Sequence, residues 1–303
     1  MANILISGLV NVETNLRVRQ FPIEYYPIDY PFFGIGTDVS GVGYNIASAL
    51  LALGDTVKLA SMTGVDFQAD YISDALQKRG IPTAHVLPAL SQTPSSVILY
   101  DPSGRRQIWC DLKDIQETAY PFTPELLTGV DLVAACNINF NRPLLTMAKA
   151  AGKTIATDVH VLSDIFDEYN RDFLQSADIL FLSDEAISGD YVQFLHSIAA
   201  AYDTKIIVLG RGSKGAALWE NGTVTSLPAV QVGTIVNTVG AGDALFSAFL
   251  HYYAKGCSSL EALMRAQLFA SAKITANGGA AGFVDENQID VYYRRHAADM
   301  KPF

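Results

Sequence analysis

The chain has 303 residues, half of them apolar, enough to bury a full core in one large domain. Its formal net charge is −10 and it has no block of basic residues, so nucleic acid is not an expected partner. Cys110, Cys136 and Cys257 lie far apart and in no metal-ligand spacing, and they read as reduced thiols of a cytoplasmic protein.

In chain order, the opening MANILISGLV lacks a basic leader and a cleavage site, and it predicts a buried first strand over residues 3–9. Residues 11–38 are rich in Tyr, Phe and Pro and show no helical period. A helix over 44–53, a strand over 56–62 and a helix over 67–78 follow. Residues 95–112 read as a hairpin turning at Asp101-Pro102-Ser103-Gly104. Strands over 131–136, 153–157, 178–182 and 205–209 then alternate with helices over 143–151 and 192–201. Helices over 244–254, 260–275 and 288–298 close the chain. The alternation predicts an α/β fold with a mostly parallel sheet covered on both faces. The two segments that break the rhythm, 11–38 and 95–112, are expected to form one small β-sheet standing off a single domain, 1–303. No apolar run is long enough to cross a membrane, and the sequon Asn221-Gly222-Thr223 reads as chance.

Two glycine runs carry possible chemistry. Gly210-Arg211-Gly212-Ser213-Lys214-Gly215 has the spacing of a dinucleotide fingerprint, but that fingerprint must open a helix. Here a hairpin around Asn221-Gly222 follows, so the dinucleotide reading is set aside; close approach of a nucleotide to this backbone stays open. The second run, Gly240-Ala241-Gly242, precedes Asp243 and an apolar helix expected to start near Ala244. Free N–H groups at a helix N-terminus attract anions, and small residues let a phosphate sit against the backbone. Asp243 could be a simple helix cap, which would leave the small residues unexplained. A carboxylate beside a phosphate binds it poorly but suits a base that takes a proton from an attacking hydroxyl.

Thr238-Val239-Gly240-Ala241-Gly242-Asp243 resembles the C-terminal signature of the ribokinase-like (PfkB) carbohydrate kinase family. Gly8-Leu9-Val10-Asn11-Val12-Glu13 and Ser40-Gly41-Val42-Gly43-Tyr44-Asn45 resemble its acceptor-binding segments. Residues 208–217 and 261–281 resemble its nucleotide side, so the likeness covers nearly the whole chain. It implies a three-layer ribokinase-like fold with a small β-sheet lid, and an ATP-dependent phosphotransferase. Asn11, Glu13, Gly41, Gly43, Asn45 and Asp158 would hold the acceptor. ATP would lie over Gly210, Gly212 and Lys214 and near Ser183, Glu185, Thr238, Asn277 and Gly279. Its transferring phosphate would face Gly240, Ala241 and Gly242, with Asp243 as base. The acceptor would be a sugar or sugar-like alcohol, or alternatively a nucleoside; a non-catalytic sugar- or nucleotide-binding regulator is the reading from another class. Magnesium is expected with the nucleotide, and a homodimer through the lid sheet.

The chain departs from the family pattern at several places. Asn237 stands for an Asp near a monovalent-cation site and brings no charge, so potassium activation is expected to be weak. Glu13 replaces Asp, and Tyr44 a small residue. An Asn-x-x-Glu motif appears as Ser183-Asp184-Glu185-Ala186, with Glu185 one place early. Leu162 stands where an arginine often follows Asp158. His160, two residues after Asp158, is a candidate substrate contact, while His85, His196, His251 and His296 show no partner pattern. Arg105 and Arg106 read either as a solvated turn or as lid residues reaching phosphate or substrate. Tyr25, Tyr26, Tyr30, Phe32 and Phe33 read as lid packing or dimer interface rather than as residues stacking on a base, the use a nucleoside kinase would make of them.

Overall fold

A computed structural model describes residues 1–103 and 105–303. Gly104, in the predicted 95–112 turn, lies outside the described residues. Strand β1 (Asn3–Ser7) runs almost directly into β2 (Asn11–Arg17), and β3 (Ile35–Ser40) returns beside it and leads into α1 (Val42–Ala52). Then come β4 (Thr56–Thr63), α2 (Phe67–Arg79) and the short β5 (Val86–Pro88), followed by β6 (Ser95–Tyr100) and β7 (Arg106–Asp111). The alternation resumes with β8 (Leu132–Ala135), α3 (Arg142–Ala150), β9 (Thr154–Val161), α4 (Arg171–Ser176), β10 (Ile179–Ser183), α5 (Tyr191–Ala201) and β11 (Ile206–Gly210). A hairpin of β12 (Ala216–Glu220) and β13 (Thr223–Leu227) precedes α6 (Ala241–Ala254), α7 (Ser259–Lys273) and α8 (Glu286–His296).

The main sheet has nine strands in the order β13-β12-β11-β10-β9-β8-β1-β4-β5. It is parallel except for the β12 and β13 edge, which is the hairpin expected after Gly215. The alternation of side chains along β1 explains the layers. Ile4 and Ile6 pack into one apolar cluster with α1, α2, α6, α7 and α8, and Leu5 packs into a second cluster with α3, α4 and α5.

The second sheet has four strands, β3-β2-β6-β7. β2 pairs antiparallel with β3 and parallel with β6, so the two segments that broke the sequence rhythm do join in one separate sheet. Only the ends of 11–38 are strand; β3 continues past Asp38 to Ser40, and β7 stops at Asp111. Alternation gives the sheet two faces. One carries Asn11, Glu13 and Asn15 beside Ser96 and Ile98; the other carries Thr14, Thr37, Val97 and Trp109. Val97 and Trp109 are exposed, as are Tyr25, Tyr30, Phe32 and Phe33 in the connection between β2 and β3.

Several elements differ from the sequence expectation, among them α6, α4 and β9. α6 begins at Ala241 and not near Ala244, because Gly240 turns the chain and Ala241 and Gly242 already belong to the helix. α4 was not foreseen; it has six residues, too few for a periodic signal. β9 runs on to Val161, with an irregular register against β10 after Asp158.

Candidate active site

The parallel strands all end on one side of the sheet, where open α/β folds bind ligands. Ser7, Asp158, Ser183 and Gly210 stand at or near these strand ends, and the N-termini of α1 and α6 approach the same region.

α1 starts at Gly41, whose φ is +101°. A Cβ there would lie 2.5 Å from the Leu9 carbonyl oxygen, so only glycine lets the helix start this close to the turn between β1 and β2. The Gly43 N–H donates to Leu9 O at 2.9 Å and ties the same two segments together. This placement delivers Asn45 to the site. Its Nδ2 donates to Asp243 Oδ2 at 2.7 Å, while its buried Oδ1 finds no donor among the described residues. Asn11 behaves alike: Nδ2 donates to Ser96 Oγ at 3.0 Å, and the buried Oδ1 is left without a partner among those residues. Glu13, buried one pleat along β2, accepts from Asn15 Nδ2 at 3.2 Å. Burial pushes its carboxyl pKa up, and Asp38, its cross-strand partner, adds to this; Asn15, Ser40 and Lys273 pull it back. Glu13 lines a cavity of about 170 Å³ with Ser40, Tyr44, Arg79 and Gly279.

α6, like α1, starts at a glycine without a side-chain cap bond, unlike four other helices. Asp66, Asp190, Ser258 and Asp285 cap α2, α5, α7 and α8 through side-chain hydrogen bonds. α6 has Gly240 at its cap, φ +76°, with no side-chain cap bond. A Cβ on Gly240 would sit 2.4 Å from Gly279 O, so the loop of Asn277 and Gly279 packs directly on it. The Ala241 N–H is taken by Thr238 O at 3.2 Å, so it is not free to meet a phosphate. The N–H groups of Gly242 and Asp243 find no acceptor among the described residues. Asp243 is therefore the third residue of the helix, not its cap.

Asp243 is neither fully buried nor exposed. Burial is the main cause that raises its pKa, and nearby Asp158 adds to it; Asn45, His160 and Lys273 oppose the shift. Asp158 Oδ2 lies 4.0 Å from where a Gly242 Cβ would be. The irregular register of β9 places Asp158 and His160 here. His160 has φ +59°, uncommon for a residue with a side chain, and its N–H donates to Asp158 Oδ1 at 2.8 Å.

On the nucleotide side, Gly210 pairs in register with Ser183, and a Cβ on it would meet Leu245 of α6 at 3.9 Å. Gly212 and Lys214 form a short 3₁₀ turn, and Lys214 Nζ bonds Asp184 Oδ2 at 3.2 Å. Ser183 Oγ is buried without a partner among the described residues. Glu185 is exposed and makes no hydrogen bond among them. Asn237 Oδ1 accepts from the Val239 N–H, and its Nδ2 donates to Asn277 Oδ1, both at 2.8 Å.

The resemblance had given no role to one residue here, Lys273. It is fully buried at the end of α7 and donates to the Val239 carbonyl. The signal was a lone charge in the apolar run LFASAKITA. Arg106 Nη1 donates to Thr238 Oγ1 at 3.1 Å, beside a cavity of about 350 Å³ also lined by Ile98, Tyr100 and Asn237. His251, which showed no partner pattern, is buried with Nδ1 2.7 Å from Asp55 Oδ2, far from the site at the other end of α6.

The family model for pfkB family carbohydrate kinases matches residues 1–287. The chain belongs to the pfkB family of carbohydrate kinases. This kinase is 28% identical over 253 residues to a 1-phosphofructokinase of Haloferax volcanii, covering 78% of this chain and 80% of that one. Among solved structures, a microbiome-derived acarbose kinase is similar with a TM-score of 0.86 and 26% identity, covering 96% of this chain and 98% of that one. Ribokinase of Arabidopsis thaliana, solved with ribose and ATP, is similar with a TM-score of 0.81 at 20% identity, covering 96% and 98%, and shows the fold. The kinase therefore has a ribokinase-like α/β fold and is a phosphotransferase of this family.

Proposed function

We propose that this kinase transfers the γ-phosphoryl group of ATP to a hydroxyl of a sugar or sugar-like acceptor, with Asp243 as general base. The observation that carries the reading is the N-terminus of α6. A partly buried carboxylate of raised pKa stands beside two free backbone N–H groups, and a glycine stands where α2, α5, α7 and α8 have a capping side chain. Free amides suit a transferring phosphate; the carboxylate suits the proton of the attacking hydroxyl. A binding-only regulator has no need of that carboxylate.

Acceptor binding falls to Asn11, Glu13 and Asn45 in this reading, with Gly41 and Gly43 setting the helix and Asp158 on the opposite wall. The buried, unpaired Oδ1 atoms of Asn11 and Asn45 fit a ligand rich in hydroxyl donors. The acarbose kinase acts, by its name, on a pseudo-oligosaccharide, and the phosphofructokinase on a sugar phosphate. The aromatic residues a nucleoside reading would use, Tyr25, Tyr30, Phe32 and Phe33, are exposed in the β2 to β3 connection, so a sugar is the better supported acceptor.

ATP in this reading lies over Gly210, Gly212, Ser183, Thr238, Asn277 and Gly279; at Gly212 the space beside the backbone is open. Lys214 would reach phosphate only after leaving Asp184, and Glu185 would need to turn toward it. Magnesium would arrive on the nucleotide: among the described residues no three carboxylate, His or Cys groups gather as a metal site. The small sheet is the lid in this reading, with Arg106 its contact to the phosphate loop. Its exposed face with Val97 and Trp109 is the homodimer surface. A screen of sugars, sugar phosphates and nucleosides for acceptor-dependent ADP release tests the proposal. Release with a sugar or sugar phosphate, lost in Asp243→Asn, is expected; release with nucleosides alone would overturn the acceptor class.

A further inference from the structure

Lys273 ends α7 among residues that build the core, including Phe269 and Ala272. A buried amine is costly unless its charge is used or matched. Its ammonium donates to the carbonyl of Val239, the residue just before the Gly240 cap of α6. Three charged groups face it: Asp243 on α6, Glu13 on β2 and Arg106 on β7. The neighbouring Asn237 is neutral and spends its carboxamide on Val239 N–H and Asn277. Lys273 is thus the buried positive charge directly beneath the phosphate loop.

Resting on the kinase reading above, we propose that Lys273 is a positioning residue that serves as a tethered monovalent cation. Its ammonium holds the Val239 carbonyl inward, so that the Gly242 and Asp243 N–H groups behind it point at the transferring phosphate. It also keeps a positive charge between the two carboxylates, Asp243 and Glu13, and so favours the ionised form of the base. A leucine or methionine would fix the same helix at lower desolvation cost, so the charge itself is the function. Burial lowers the Lys273 pKa to about 8, with Arg106 adding to the fall and Asp243 and Glu13 opposing it. The device is therefore charged at neutral pH and is lost in mild alkali.

The test uses Lys273→Met, which keeps the stem, and Lys273→Ala, which opens room for a free cation. MgATP affinity is measured by calorimetry without acceptor, in choline, potassium, ammonium or methylammonium chloride. Turnover is measured from pH 6.5 to 9.5 with whichever acceptor the screen finds. The wild-type protein is expected to ignore potassium and to lose turnover above about pH 8. Both variants are expected to lose about tenfold to a hundredfold in turnover, the scale for a group that orients the contacting ones from behind. Lys273→Met should lack the alkaline fall, and Lys273→Ala should regain MgATP affinity and turnover with methylammonium or ammonium. Potassium stimulation of the wild-type protein overturns the proposal without any variant. So does a Lys273→Met protein with unchanged turnover and pH profile, or a folded Lys273→Ala protein that no cation rescues. A wild-type protein that fails to bind MgATP would instead overturn the kinase reading beneath it.

Discussion

Asp243 meets two opposing demands in one carboxyl. Burial favours its neutral form, while a general base must be charged. The sign of the pH dependence follows. Because the folded-state pKa is raised above the ordinary carboxylate value, the folded protein binds the extra proton between those two values. This contribution to stability is full below the ordinary value and is lost as pH rises through the raised one; turnover changes the opposite way. Asp243→Asn mimics the protonated state permanently. It should cut kcat by about 10²–10⁴ while leaving MgATP affinity equal or better. It should also raise the Tm at neutral pH, which kinetics, calorimetry and a thermal melt read on one variant. Glu13→Ala should raise the acceptor KM by roughly tenfold to a hundredfold and the ATP KM little, as expected when a charged hydrogen bond to a hydroxyl is removed; steady-state kinetics with each substrate varied decide it. Asp243 and Asn45 were legible from sequence because glycine runs marked their helix starts. Lys273 was not: its meaning lies in the Val239 carbonyl 34 positions away, and no local pattern announces such a pair.

At the scale of elements, the α6 N-terminus depends on backbone shape more than on side chains. Gly240→Ala would place a Cβ 2.4 Å from Gly279 O at a φ of +76°. The left-handed conformation alone costs an ordinary residue about 1–2 kcal/mol, and relief of the overlap must push the 277–279 loop away. Urea titration should show at least that loss, and MgATP affinity should fall with it. The same shape misled the reading of the helix start, because glycine and alanine before Asp243 resemble a loop until Gly240 is seen to make the turn. Six parallel strands, β1, β4 and β8 to β11, were recovered as short apolar runs, whereas the three-residue, partly exposed edge strand β5 was not. The long 11–38 segment was harder. Its two strands pair with each other, and β2 pairs also with β6, a match of register that composition does not encode.

For the whole molecule, two sheets with different surroundings share one chain. The main sheet is covered on both faces, whereas the small sheet leaves Val97, Trp109 and Ile35 exposed on its outer face. An apolar face of that kind favours self-association. The protein should sediment as a dimer at micromolar concentration, and Trp109→Lys should shift it toward monomer with the α/β core still folded by circular dichroism. The small sheet is also a lever. Asn11, Ser40 and Ser95 stand at its root, beside the main body, and Arg106 stands near its far end, five residues of strand away along the register from Ser95 to Tyr100. At about 3.3 Å per residue that arm is roughly 17 Å long, so a swing of about 10° moves the tip roughly 3 Å and the root hardly at all. The residues proposed to grip the acceptor therefore sit at the fulcrum, where their geometry survives any swing. The single bond from Arg106 to Thr238 sits where travel is greatest. A pair of fluorophores at the tip and on α6 would register every stroke of that arm, while one placed at the root would stay silent.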